Sequence, residues 1–340
     1  MLLTDPPPAP AAALTYHGGR ADAAARLYPD APAPWLDLST GINPFAWDGV
    51  DVPLAALRAL PSPAELDALH HAAANAFGAS DTAITALPGS EIGLRALAGL
   101  ALPRPWHVVV PSYRTHEAAL PGAITIDATA VEAVVPGGGT LLLANPNNPD
   151  GRCWPAARLH ELAQALAERG GVLVVDEAFA DAVPGASVLP LLARDDRVLV
   201  FRSFGKFFGL AGVRLGFAAG GAALVGELAT RLGSWPVSTA ALRIGIAAYR
   251  DIAWIAATRE RLAAAVAELD GVLAVHDLAP IGACPLFRLV ERDDAPLLFE
   301  RLARAGVLVR PFNEAPDRLR IGLPGDAGAL ARLGAALDDG

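Results

Sequence analysis

The chain has almost no lysine. Among its 340 residues it carries 27 basic side chains, of which 26 are arginines and one is Lys206. A wet surface accepts either cation, so a chain that favours arginine loses little by using it throughout. The exception is a position where an amine must shed its proton and attack a carbonyl carbon. Guanidinium, with a pKa above ~12, stays protonated and forms no Schiff base, whereas an ε-amine shifts its pKa readily when desolvated. Taken alone, the single lysine reads equally well as compositional drift, so its surroundings decide.

Other scarcities exclude whole classes. The two cysteines, Cys153 and Cys284, are isolated and form neither a disulfide framework nor a zinc pattern. The seven histidines include no H-E-x-x-H spacing, and no metal is expected. A reducing cytoplasm is the simplest setting for such a chain. No uninterrupted apolar stretch approaches the ~20 residues that span a bilayer, so no membrane partner is expected. Residues 1–14, rich in Pro and Ala, lack the cationic start and apolar run of a signal peptide and read as a mobile tail. The formal net charge of -9 argues against a nucleic-acid partner, because phosphate backbones are held by clustered basic residues.

What is present is an ordinary globular composition, 53% hydrophobic and 19% charged, long enough for a large core and two domains. From about 62 to 235, short apolar strands alternate with amphipathic helices. The patterns predict helices over 63–77, 90–102 and 155–169. Continuous apolar runs predict buried strands at 106–110, 140–144, 172–176 and 197–201, with another at 214–219. This alternation predicts an α/β fold, a mostly parallel sheet covered by helices on both faces. The C-terminal third changes rhythm, with a helix over 252–269, strands near 272–276, 285–290, 307–310 and 318–321, and helices at 295–305 and 326–337. That reads as a smaller α+β domain. The expected division is a segment 15–45 that packs with the small domain and active site, a large domain 46–240 and a small domain 241–340.

Four segments carry chemistry that converges on pyridoxal phosphate, whose aldehyde a lysine captures and whose ring accepts electrons. Asp176 ends an apolar strand, where ligands bind in open α/β sheets, and there it could keep a pyridinium nitrogen protonated. By itself it reads equally as a surface carboxylate capping a loop. Asn148, in Asn145-Pro146-Asn147-Asn148-Pro149-Asp150-Gly151, could bond the ring oxygen, although its Pro and Gly content alone favours a plain turn. Gly89-Ser90-Glu91 opens a helix and offers free N–H groups to a phosphate, but most such starts are only caps. The most specific signal is Ser203-Phe204-Gly205-Lys206 with Arg214 eight residues on: a hydroxyl, the amine and a guanidinium fork.

In order and spacing, these motifs resemble those of the fold-type I pyridoxal-phosphate enzymes, the class I/II aminotransferase superfamily, from about residue 15 to 325. The resemblance implies the aspartate aminotransferase fold and a catalytic set of Lys206, Asp176 and Tyr113. It implies that Tyr113 stacks on the cofactor ring, and that Gly89, Ser90, Glu91, Ser203 and Arg214 surround its phosphate. Asn148 would bond the ring oxygen and face the substrate. Arg320 would bind the substrate α-carboxylate, and Arg310 would lie near its other anionic end. The opening His17-Gly18-Gly19 with Asp37-Leu38-Ser39-Thr40-Gly41-Ile42-Asn43-Pro44 is similar to that of threonine-phosphate decarboxylases of cobalamin biosynthesis. On spacing alone His17 reads as a loop histidine. The resemblance implies that His17 and Asn43 contact a substrate phosphate, and that O-phospho-L-threonine is decarboxylated to (R)-1-aminopropan-2-yl phosphate by a homodimer. The alternatives are an aminotransferase for histidinol phosphate or a similar substrate, and a non-enzymatic ligand sensor. Three positions depart from the superfamily pattern: Gly205 replaces Ser or Thr before the lysine, Phe179 replaces Tyr, and Leu60-Pro61-Ser62 replaces a Tyr-Pro-Asp element.

Overall fold

The structure, a computed structural model, describes residues 12–338. Of the expected tail, residues 1–11 lie outside that range, whereas Ala12–Thr15 forms one helical turn with Leu14 buried. The chain divides into two compact units. One is Phe45–Arg259, and the other combines the described residues up to Pro44 with those from Glu260 onward.

In chain order the first strand, β1 (Leu36–Asp37), belongs to the second of these units. The unit Phe45–Arg259 then holds β2 (Ala83–Leu87), β3 (Trp106–Val110), β4 (Ile124–Asp127), β5 (Thr140–Ala144), β6 (Val172–Asp176), β7 (Val198–Ser203) and β8 (Gly216–Gly220). They form one sheet in the order β2-β8-β7-β6-β5-β3-β4. Strand β8 runs antiparallel to both neighbours, and the remaining pairs are parallel. The central strands β5 and β6 are buried at every residue, as their unbroken apolar sequence requires of a sheet covered on both sides.

Side-chain parity divides the sheet into two faces. Val108, Leu142, Val174, Leu199, Phe201 and Ala218 pack in one core with Leu94 and Leu97, in and just after the helix Ser90–Ala96, and with Ala119 of the helix Thr115–Ala119. On the opposite face Phe217 meets Phe77, the last residue of the helix Pro63–Phe77, edge to face at 5.5 Å. That helix begins where Ser62 and Glu65 cap each other's backbone N–H groups and ends at Gly78 in the left-handed region. The departure at Leu60-Pro61-Ser62 therefore keeps an N-cap at Ser62, while Leu60 is left exposed. The helix Thr239–Arg250, expected to open the small domain, instead packs on Pro63–Phe77 and belongs to this unit.

The other unit holds β9 (Phe287–Glu291), β10 (Val307–Leu308), β11 (Arg310–Pro311) and β12 (Arg318–Gly322). Strands β11, β12 and β9 form an antiparallel sheet, and β1 pairs in parallel with β10. The helices Ala295–Arg304 and Ala327–Asp338 pack on one another. A strand expected at 272–276 is absent, because the helix Ile252–Val275 runs through it. That helix stops when Asp277 takes φ 55° and Leu278 N–H turns back to Leu273 O at 2.9 Å. Among the described residues no helix is long and apolar enough to cross a membrane.

Candidate active site

Parallel strands place their carboxyl ends on one edge, and the expected cofactor residues lie along that edge. Gly89, Ser90 and Glu91 follow β2, Tyr113 follows β3 and Asn148 follows β5. Asp176 ends β6, Ser203 ends β7 with Lys206 just beyond, and Arg214 precedes the antiparallel β8. Register fixes their alignment: Ala144 pairs with Asp176, Asp176 with Phe201, and Gly216 with both Ser203 and Leu87. Asp176 has the parity of Val174 and so points to the face covered by the helix Thr115–Ala119.

On that face a histidine meets it. His116, fully buried, lies with Nε2 2.9 Å from Asp176 Oδ2, while Asp176 Oδ1 accepts the Ala178 N–H at 3.0 Å. The carboxylate can only accept, so Nε2 carries the proton, and Nδ1 lies 3.2 Å from Ser112 Oγ. The Tyr113 ring stands edge-on to His116, 5.9 Å between centroids. His116 was absent from the sequence-based set. The signal was its place three residues after Tyr113, one helical turn along.

Glu177 alternates to the opposite face. There it accepts from Ser187 Oγ at 2.6 Å, Val188 N at 2.7 Å and Arg202 Nη1 at 3.1 Å, and Arg202 also pairs with Asp181. Every member of this ion cluster is buried, so the strand ends that bear Asp176 and Ser203 are tied together beneath the site.

Lys206 sits in the short helix Phe204–Phe207, half-buried, with Nζ 5.8 Å from the centroid of the buried Phe179 ring. Its neighbours anchor the turn. Phe204 and Phe208 stack on one another, and Phe208 stacks on Trp254. The departure at Gly205 has a steric reason: a Cβ there would lie 2.6 Å from Ala211 Cα, so no hydroxyl-bearing side chain fits without moving backbone.

At the other end of the edge, Gly89 has φ +90°, and a Cβ on it would lie 2.5 Å from Arg214 Nη2. A glycine with a guanidinium close over it, at the start of a helix, is a candidate cradle for a phosphate. Arg214 is itself in the left-handed region, φ 56°, and its Nη1 bonds Ala211 O at 3.2 Å. Asn145 and Asn147 commit their amides to the turn, to Trp154 O, Ala186 O and Pro111 O, and Asn148 lies half-buried at its tip.

The remaining expected residues lie on the other unit and cluster there. Arg310 and Arg320 are direct cross-strand partners of β11 and β12, both buried. Arg310 donates to Tyr16 O at 2.5 Å and Arg320 to Ser39 O at 2.8 Å. Gly19 N–H in turn reaches Ser39 Oγ at 2.8 Å. Hydrogen bonds therefore draw the segment bearing half-buried His17, and the segment running on to buried Asn43, onto the arginine pair.

Comparison with known proteins shows the family. The model of the family "Aminotransferase class I and II" matches residues 108–337. A threonine-phosphate decarboxylase of Sinorhizobium sp is 40% identical over 327 residues, 94% of this chain and 97% of its own. Histidinol-phosphate aminotransferase 2 of Burkholderia mallei is 36% identical over 197 residues, 56% of this chain and 54% of its own. Among solved structures, the histidinol-phosphate aminotransferase of Sinorhizobium meliloti in complex with pyridoxal-5'-phosphate superposes with TM-score 0.76 at 24% identity, covering 93% of each chain. The lone lysine, a buried carboxylate and a glycine beneath a guanidinium thus lie along one sheet edge. The chain belongs to the class I and II aminotransferase family, and its cofactor is pyridoxal phosphate.

Proposed function

We propose that the protein is a threonine-phosphate decarboxylase, releasing CO2 from O-phospho-L-threonine to leave (R)-1-aminopropan-2-yl phosphate for cobalamin biosynthesis. The observation that carries the reading is the opposition of Arg310 and Arg320 on β11 and β12. Like charges directly opposite on a ladder, with Cβ atoms roughly 4.5–5.5 Å apart, destabilise a sheet. Two anionic groups on one small substrate, a carboxylate and a phosphate, offset that repulsion. The near full-length 40% identity to a threonine-phosphate decarboxylase supports the same substrate.

When bound, pyridoxal phosphate supplies the electron sink for cleavage at the substrate Cα. Lys206 Nζ would hold the cofactor through its aldehyde carbon and could deliver a proton to the substrate Cα. Asp176, oriented by His116 Nε2–H and Ala178 N–H, holds a proton on the ring nitrogen. Asn148 would bond the ring oxygen, Tyr113 would stack on the ring, and Gly89, Ser90, Ser203 and Arg214 would take the phosphate. Arg320 receives the substrate carboxylate, while Arg310, His17 and Asn43 receive its phosphate. A tight Arg320–carboxylate pair favours the ground state over a transition state that is losing that charge. Binding energy from the remote phosphate must therefore hold the substrate with its carboxylate poised to leave. We further propose that the enzyme is cytoplasmic and homodimeric, and the exposed apolar side chains Leu54, Leu57 and Leu60 support the homodimer.

The match to a histidinol-phosphate aminotransferase over 197 residues keeps aminotransfer as the second reading. Incubation with O-phospho-L-threonine separates the two. Release of CO2 with an amine phosphate as product is expected, and a keto acid without CO2 would replace the first reading with the second.

A further inference from the structure

Glu91 poses an electrostatic problem at the phosphate end of the edge, because a carboxylate turned toward a phosphate dianion repels it. The structure turns it elsewhere. Glu91 Oε1 accepts from Arg95 Nε at 2.6 Å and from Thr115 Oγ1 at 3.1 Å, and Oε2 is buried. Thr115 opens the helix that carries His116, and it lies two residues from Tyr113. The Glu91–Thr115 bond lies beside the Tyr113 phenol, and the Glu91 carboxylate helps to raise that phenol above its ordinary value.

We propose that the Glu91 side chain is a positioning residue for Tyr113, joining the loop after β2 to the loop after β3 so that the ring is held at one tilt over the cofactor. The inference rests on the reading of Tyr113 as the stacking ring and assigns Glu91 only its backbone N–H at the phosphate. An aromatic ring turns about two torsions. Packing against His116 restrains one edge of Tyr113, and the phenol end needs its own anchor. Glu91 supplies it, and Arg95 offsets the charge so that the anchor adds no net repulsion beside the phosphate. The series Arg95, Glu91, Tyr113, His116 and Asp176 would then join the residues proposed for the cofactor's phosphate to the one proposed for its ring nitrogen.

The test compares Glu91→Ala, Glu91→Gln and Thr115→Val in two measurements. The first is tyrosinate absorbance in protein stripped of cofactor, where only four tyrosines titrate and Tyr113→Phe identifies the one of interest. Burial pushes the Tyr113 phenol up to about 12, with the Glu91 carboxylate adding to the shift. Both Glu91 variants are therefore expected to titrate Tyr113 at lower pH. The second is the dissociation constant for added pyridoxal 5'-phosphate. It is expected to rise about tenfold in Glu91→Ala and in the same direction in Thr115→Val, for the loss of one charge-assisted hydrogen bond. Glu91→Gln, which keeps an acceptor oxygen, should recover most of it.

An unchanged Tyr113 titration and affinity in Glu91→Ala would overturn the proposal. A Glu91→Gln variant as weak as Glu91→Ala would also overturn it, because charge rather than position would then be what matters. Failure of the parent protein to bind pyridoxal 5'-phosphate would refute the cofactor reading instead, and the tyrosine titration would still decide the Glu91–Tyr113 contact.

Discussion

At the scale of single residues, the site depends on what holds each charged group. Asp176 is buried and has two donors, one of them His116. His116→Leu removes the charge-assisted bond, and losses of this kind run about 1.5–3 kcal/mol. A fall in kcat of roughly 10- to 100-fold is expected with little change in KM, together with a shift in the visible absorption of bound cofactor. Lys206→Arg should abolish both turnover and that absorption band, since guanidinium forms no Schiff base. Lys206 and Asp176 could be singled out in the sequence because each proposed chemical role admits few residue types. His116 was not, because its place one turn after Tyr113 does not name Asp176 as its partner until the sheet's parity is known. Gly205 was legible as a departure, but its cause, the Ala211 backbone 2.6 Å from any added Cβ, exists only in three dimensions.

At the scale of elements, the paired ends of β6 and β7 matter most. Glu177, Asp181 and Arg202 form a buried ion cluster on the face away from Asp176. Arg202→Met would leave two carboxylates uncompensated in the interior, at a cost of about 3–5 kcal/mol. Thermal unfolding should show a large drop in midpoint in this variant, and an unchanged midpoint would show that the cluster contributes nothing. Strands β3, β5, β6, β7 and β8 were readable, since short apolar runs bounded by Gly, Pro or polar residues leave little choice, whereas β1, β2 and β4 were not expected. Residues 272–276 were misread as a strand, because the helix Ile252–Val275 ends at Asp277 in a left-handed conformation rather than at the glycine that usually marks such a stop. The 3₁₀ turn Leu97–Gly99 likewise ended the helix Ser90–Ala96 earlier than its apolar pattern implied.

At the scale of the whole molecule, the few tyrosines make alkaline stability predictable. Burial raises the phenols of Tyr28, Tyr113 and Tyr249 above the ordinary value, Tyr113 to about 12. A group that keeps its proton more tightly when folded stabilises fully below its unfolded pKa of about 10, and that stabilisation is lost as pH rises through the folded value. The melting temperature should therefore be insensitive to these groups below about pH 9 and fall above about pH 10. A melting temperature flat to pH 11 would contradict this assignment.

The arginine pair on β11 and β12 also bears on how the protein behaves in the test tube. If the buried cross-strand partners Arg310 and Arg320 bind the substrate's anionic groups as proposed, other small oxyanions should bind there too. Sulfate or inorganic phosphate in a buffer should raise the melting temperature and, at the same concentrations, compete with the reacting molecule. Rates measured in such salts would understate the enzyme, whereas a neutral zwitterionic buffer would reveal it.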